Sequence, residues 1–92
     1  MIEGKTRTGF KYKIDERVAK DWRLLDSIRK STSNDNMEQI AAMSSMIEIL
    51  LGKDKDKFME HIEKKNDGYL PIDAIVADLL DIISGVSVTK NS

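Results

Sequence analysis

The chain has 92 residues, enough for one domain with a single hydrophobic core. Its formal net charge is −1 and it contains no cysteine, which excludes a disulfide framework and thiolate metal sites. No apolar run is long enough to span a bilayer, and the N-terminus lacks an apolar signal core. These patterns predict a soluble intracellular protein.

The N-terminal segment has the pattern of a β-hairpin. Three apolar residues alternate with two lysines, in the order Phe10, Lys11, Tyr12, Lys13, Ile14. This alternation predicts a strand with one buried face and one exposed cationic face. Gly9 fits the left-handed position of a three-residue loop over residues 7–9. Because a hairpin of this size is not stable alone, it is expected to pack on helices.

A first helix is predicted directly after the hairpin, with Asp15 as its N-cap. Its apolar residues recur at spacings of four, three and three, which predicts one buried stripe. The stripe comprises Val18, Trp22, Leu25 and Ile28. The polar residues 31–36 then form a connector.

The second predicted helix covers residues 37–51, with Asn34 or Asp35 as its cap and Gly52 as its end. Its main apolar face comprises Met37, Ile40, Ala41, Ser44, Ile47 and Leu51, widened by Met43 and Leu50. Ala42, Met46 and Ile49 lie on the far side. A helix that is apolar nearly all round is either sandwiched or faces a partner. Met46 and Ile49 are therefore candidates for a partner-binding surface, and core packing is the alternative.

Two further helices complete the pattern. One is predicted over residues 54–65, with Phe58, Met59 and Ile62 on its apolar side, and it ends at residues 66–68. The last begins at Pro71, runs to about Ile83 and ends at residues 84–85. Its expected inward residues are Ile72, Ile75, Val76, Leu79, Ile82 and Ile83, and its expected outward residues are Asp73, Ala77, Asp78 and Asp81.

The fold class that follows is α+β and mostly α, with an N-terminal β-hairpin packed on a bundle of three to four helices. A single domain is expected over residues 1–85, with a flexible C-terminal tail over residues 86–92.

Charge is distributed unevenly along the chain. The first 14 residues are basic, whereas residues 66–89 contain aspartates and no Lys or Arg. This asymmetry suggests that the cationic strand face, with Lys11 and Lys13, meets the acidic side of the last helix, with Asp78 and Asp81. The contact is expected within one molecule or between molecules that self-associate head to tail.

No catalytic, metal or cofactor site is predicted. His61 is the single histidine, and its neighbours do not provide further metal ligands or a nucleophile at suitable spacing. The segment around Gly68 fails as a calcium loop because Lys65 and Ala74 occupy ligand positions. We therefore expect neither an enzyme nor a small-molecule substrate.

Several short motifs occur in a characteristic order. Lys-Thr-Arg-Thr-Gly-Phe at residues 5–10 precedes an acidic-capped helix that contains Trp22. Leu-Leu-Gly follows at residues 50–52, and Asp67-Gly68 precedes Leu70-Pro71. Over residues 5–83 the chain resembles the small tail assembly chaperones of long-tailed bacteriophages and prophages.

The resemblance implies a function in virion assembly. Chaperones of this family bind the tape-measure protein in the bacterial cytoplasm, act in several copies and are not retained in the mature virion. It implies neither a nucleic-acid nor a membrane partner. The alternative is a small DNA-binding regulator that uses Lys11 and Lys13 of the basic hairpin, with an affinity that falls steeply with salt.

Overall fold

The chain begins with an antiparallel β-hairpin in the computed structural model, which describes the backbone of residues 1–91 and the side chains of residues 1–87. Strand β1 covers Ile2–Lys5 and strand β2 covers Lys11–Ile14. Their register pairs Ile2 with Ile14 and Lys5 with Lys11.

The loop of the hairpin has the predicted three-residue form. The Thr6 N–H donates to the Phe10 carbonyl at 2.9 Å, and the Gly9 N–H donates to the Thr6 carbonyl at 2.9 Å. Gly9 has a φ of 96°, a conformation that is unstrained only for glycine. The predicted position of the left-handed glycine is therefore confirmed.

The two faces of the hairpin are also as predicted. Phe10, Tyr12 and Ile14 are buried, together with Ile2 of β1, whereas Lys11 and Lys13 are exposed. The inner face packs on the helices, and the Phe10 ring meets the Phe58 ring edge to face with 5.1 Å between centroids.

The structure contains two helices where the sequence predicts a single first helix. Helix α1 covers Glu16–Ala19 and helix α2 covers Trp22–Lys30, each started by an aspartate whose side chain accepts a backbone N–H, Asp15 for α1 and Asp21 for α2. Hydrogen bonds from Arg17 and from Arg23 lower the pKa of these two carboxyls to about 2.

The break between α1 and α2 changes which residues are buried. The predicted stripe through Trp22 and Leu25 is wrong, because Trp22 is 75% exposed and Leu25 is also exposed. Leu24 and Ser27 are buried instead. The extended backbone of Asp21 interrupts the helical phase, so the spacing from Val18 to Trp22 no longer predicts a common face.

Helix α3 covers Asn36–Leu51 and has the predicted ends. Asp35 is its N-cap and accepts the Met37 N–H at 2.9 Å, while Gly52 follows its last turn with a φ of 52°. Its main buried side differs from the predicted one. The buried residues are Ala42, Met46, Ile47, Leu50 and Leu51, and α3 packs most extensively on α2.

A short 3₁₀ turn, Gly52–Asp54, leads into helix α4, which covers Lys55–Lys65. Phe58 and Ile62 of α4 are completely buried, as predicted. The helix ends where expected, because Asp67 and Gly68 adopt positive φ values of 55° and 89°. The Gly68 N–H donates back to the Glu63 carbonyl at 2.9 Å.

Helix α5 covers Ile72–Asn91 and is longer than predicted. The predicted end at residues 84–85 is wrong, since the helix continues through Gly85 and buries Val86. The predicted flexible tail therefore does not begin at residue 86, and its last residue, Ser92, lies outside the described residues.

The inward side of α5 was predicted only in part. Leu79 and Ile82 are buried as expected, but Ile72 is exposed and Asp78 is completely buried.

One cluster of buried residues joins the hairpin to all five helices. It comprises Ile2, Phe10, Tyr12, Ile14, Ala19, Leu24, Met46, Ile47, Leu50, Leu51, Phe58, Ile62, Leu79, Ile82 and Val86. The structure is 68% helical and has four helices of nine residues or more in its described part, besides the single turn of α1. The predicted α+β, mostly α, fold class is confirmed.

The Tyr12 side chain packs against two glycines, one in the hairpin and one in α5, and so joins these two elements. Its side chain lies across Gly4, its partner in β1, and reaches Gly85 of α5. A Cβ atom at either glycine would overlap the Tyr12 hydroxyl group. Burial raises the pKa of this phenol. Gly85 therefore permits close approach of the two elements and does not terminate the helix.

We expect Gly85→Ala to destabilise the fold by about 1 to 3 kcal/mol, because Tyr12 is held between two backbones and cannot easily move aside. Urea denaturation measures this change. Ser84→Ala is the control, since Ser84 is exposed and alanine favours a helix at that position. A Gly85→Ala variant as stable as the wild type would show that Tyr12 is free to move.

Candidate functional site: a loop network and an apolar groove

The buried Asp78 carboxylate holds the hairpin loop against α5. Its Oδ2 atom accepts hydrogen bonds from the hydroxyls of Thr6 at 2.6 Å and Thr8 at 2.5 Å. Thr6 Oγ1 also accepts the Phe10 N–H at 3.1 Å. Asp78 is 0% exposed, and its Oδ1 atom is buried without a hydrogen-bond partner among the described residues.

His61 of α4 extends this network. Its Nε2 atom lies 2.9 Å from Thr8 Oγ1. Because Thr8 has one hydroxyl proton and donates it to Asp78, His61 must donate its Nε2 proton to Thr8. The imidazole also lies beside Phe10, with 5.6 Å between ring centroids. His61 therefore orients the loop.

Asp81, one turn after Asp78, binds Arg7, the loop residue between Thr6 and Thr8. Its carboxylate accepts the Arg7 backbone N–H at 2.8 Å and two guanidinium hydrogen bonds, from Nε at 2.9 Å and Nη2 at 2.8 Å. This planar two-point contact is a strong form of ion pair. The hydrogen bonds from Arg7 lower the pKa of Asp81 to about 2, and the same contact raises the pKa of Arg7.

Both aspartates bind the hairpin loop of their own chain, so the predicted contact with Lys11 and Lys13 within one molecule is wrong. Asp78 is not on the outer side of α5, because the hydroxyls of Thr6 and Thr8 replace water around its carboxylate. Asp81 contacts Arg7 of the loop and not the strand lysines. Lys13 instead lies 3.9 Å from Glu3, its cross-strand neighbour.

An apolar groove of about 320 Å³ lies on another side of the molecule, among α3, α4 and α5. Its apolar lining includes Ile40, Met43, Ile47, Met59, Ile72 and Val76. Lys55 of α4 also lines it and pairs with Glu48 of α3. We refer to this surface as the apolar groove.

The rim of the apolar groove exposes large side chains. Ile40 of α3 is 46% exposed and Ile72 of α5 is 58% exposed. Met37 lies one turn before Ile40 and is exposed, and Tyr69 and Leu70 are exposed in the segment just before α5. Large apolar residues exposed together at a concave surface are typical of a protein-binding site.

The sequence placed the exposed side of α3 incorrectly. Met46 is 2% exposed and belongs to the core, so it is not available to a partner of the folded domain. Ile49 is half-buried and packs against the same core. The exposed apolar residues are Met37 and Ile40, which the sequence assigned to the core.

One signal in the sequence could have indicated the groove. Helix α4 is shorter than α3, with 11 residues against 16, so it cannot cover both ends of α3. Apolar residues near the start of α3 therefore need another partner.

The described residues offer no evident place for a metal ion, since no group of three or more His, Asp or Glu side chains is arranged to hold one. None of the helices in the described part of the chain is long and apolar enough to cross a membrane.

Comparison of this chain with models of protein families, with curated proteins and with solved structures finds no match.

We expect Asp78→Ala to destabilise the fold by about 3 kcal/mol, because the Thr6 and Thr8 hydroxyls lose a charged acceptor. Chemical denaturation measures this loss, with Asp73→Ala, at an exposed position of the same helix, as the control. A variant more stable than the wild type would show instead that the desolvation cost of the buried carboxylate exceeds the gain from its hydrogen bonds.

The Arg7–Asp81 pair should contribute to the pH dependence of stability. The folded pKa of Asp81, about 2, lies below its ordinary value of 3.8, so the unfolded chain binds the proton more tightly. The stabilisation is present above about pH 4 and is lost as the pH falls towards about 2. Asp81→Asn should flatten the stability curve in this window, whereas Glu63→Gln, at an exposed position of α4, should not.

Proposed function

We propose that this chain is a non-catalytic tail assembly chaperone of a long-tailed bacteriophage or prophage, and that it binds the tape-measure protein during tail morphogenesis. The apolar groove is the observation that carries the proposal. It gives the domain a concave surface, lined from three helices, that can take the apolar side of a client segment.

The dimensions of the apolar groove suit a helical client. Its volume of about 320 Å³ is at the lower end of the range for ligand pockets and accommodates a few large side chains. Ile40 of α3 and Ile72 of α5 both line it and are both exposed. An amphipathic client helix would place its i, i+3 and i+4 apolar residues between them.

The order of the sequence motifs also supports this function. The Lys-Thr-Arg-Thr-Gly-Phe motif forms the loop that binds Asp78 and Asp81 of α5. Leu50 and Leu51 are core residues, and Gly68 ends α4. These three motifs therefore have structural roles in the fold, whereas Trp22 and Leu70 of the remaining motifs are exposed.

The protein is proposed to act in the host cell before the tail is assembled. The protein acts in the cytoplasm of the bacterial host, in several copies, while its client is unassembled, and it is not retained in the mature virion. Binding through exposed apolar side chains fits a transient partner, because the client must be released when the tail polymerises.

A DNA-binding regulator has less support. Of the exposed hairpin lysines, Lys13 lies close to Glu3, and the neighbouring Lys57 of α4 lies close to Asp54. These acids reduce the local positive potential that binding to phosphates requires.

We expect the double variant Ile40→Asp/Ile72→Asp to weaken client binding by at least about tenfold while it leaves the domain folded, because both side chains are exposed. The assay is co-purification with the tape-measure protein of the same phage or prophage, followed by titration of the purified pair.

Leu80→Asp is the matched control, since Leu80 lies on α5, is 53% exposed and does not line the apolar groove. If the wild-type protein does not bind the client, the proposed function is wrong. If the wild type binds and the double variant binds equally well, the client surface lies elsewhere.

A further inference from the structure

The exposed face of the hairpin brings two lysines together. Lys5 and Lys11 are directly opposite each other in the register of β1 and β2. The neighbouring pair, Thr6 and Phe10, is joined by a backbone hydrogen bond, so Lys5 and Lys11 form a non-hydrogen-bonded pair, in which side chains approach most closely. Like charges in this position destabilise a hairpin.

Neither of these two lysines is neutralised within the described part of the chain. Lys13 lies near Glu3 and Lys57 near Asp54, each at 3.9 Å, but no ion pair involves Lys5 or Lys11. The repulsion between Lys5 and Lys11 would be relieved by an anionic group placed between them.

These lysines lie at a hollow of about 560 Å³ between the hairpin and the start of α4. Its lining includes four lysines, Lys5, Lys11, Lys13 and Lys57, and it also includes Phe10 and Tyr12. We refer to it as the lysine hollow. Two carboxylates, those of Glu3 and Asp54, also line it.

We propose that the lysine hollow is a docking site for an acidic segment of a partner protein. Charge complementarity identifies this partner, because carboxylates of the segment would pair with Lys5 and Lys11, which have no ion-pair partner among residues 1–87, whose side chains the structure describes. Apolar residues that alternate with these carboxylates would contact the apolar lining.

A peptide fits the lysine hollow better than a nucleic acid does. Glu3 and Asp54 are part of the lining and would repel a continuous row of phosphates. An acidic peptide can place uncharged residues beside these two carboxylates.

The lysine hollow and the apolar groove are separate surfaces on two sides of α4. Lys57 and Asp54 line the hollow, whereas Lys55 and Met59 line the groove. The inference therefore goes beyond the proposed function and does not depend on it.

Fluorescence anisotropy tests the proposal with a labelled peptide of alternating Glu and Val, at low and high salt. A peptide with Lys in place of Glu and a labelled DNA duplex of about 20 base pairs serve as comparison probes. The variant is Lys5→Gln/Lys11→Gln. The matched control is Lys20→Gln/Lys65→Gln, which makes the same change in net charge at exposed positions outside the lysine hollow.

We expect the wild type to bind the Glu-Val peptide in a salt-sensitive manner and not to bind the Lys-Val peptide. Lys5→Gln/Lys11→Gln should weaken binding roughly tenfold, as expected for the loss of two exposed ion pairs, and the control should change it less than about twofold. The melting temperature of Lys5→Gln/Lys11→Gln should equal or exceed that of the wild type, because repulsion is removed.

Three results would overturn the proposal. The first is a lack of peptide binding at low salt. The second is an equal loss of binding in both double variants, which would indicate a general effect of net charge. The third is tighter binding of the duplex than of the peptide, with a steep salt dependence, which would identify the surface as a nucleic-acid site.

Discussion

The hydrogen bonds of the buried Asp78 carboxylate join the two ends of the chain. Thr6 and Thr8 are 72 and 70 positions away from Asp78, so these contacts are among the least local in the fold. Their formation closes a loop that contains α1 to α4, and the entropy cost of closure must be offset by core burial. The Arg7–Asp81 pair and the Tyr12 contact with Gly85 join the same two elements, the hairpin and α5. The hairpin is consequently an integral part of the helical core.

Local features of the fold could be predicted from the sequence, whereas long-range ones could not. The hairpin loop follows from Gly9, and the ends of α3 follow from Asp35 and Gly52, because each depends on backbone geometry within a few residues. Asp78 was predicted to be exposed from the amphipathic pattern of the last helix, and a carboxylate normally obtains its hydrogen bonds from solvent. Only the folded structure reveals that two threonines from the other end of the chain provide them.

The candidate site was predicted less well than the fold for a related reason. The apolar pattern of α3 shows correctly that the helix cannot be covered on every side, but it does not tell which side remains open. That choice depends on the length of α4 and on the position of α5. As a result Met46 is in the core, and Met37 and Ile40 are exposed. The cationic face of the hairpin was predicted from the sequence, but the hollow beside it depends on the position of α4.

The contact of Tyr12 with Gly4 and Gly85 has a consequence for how such a sequence can evolve. The three residues form one steric unit, because the space for the phenol ring exists only while both glycines lack a Cβ atom. A side chain acquired at either glycine is accommodated without strain only after residue 12 has become smaller, and a smaller residue 12 leaves a void beneath the sheet. Each single change at these positions therefore lowers stability whichever comes first, and in related sequences the three residues should tend to vary together.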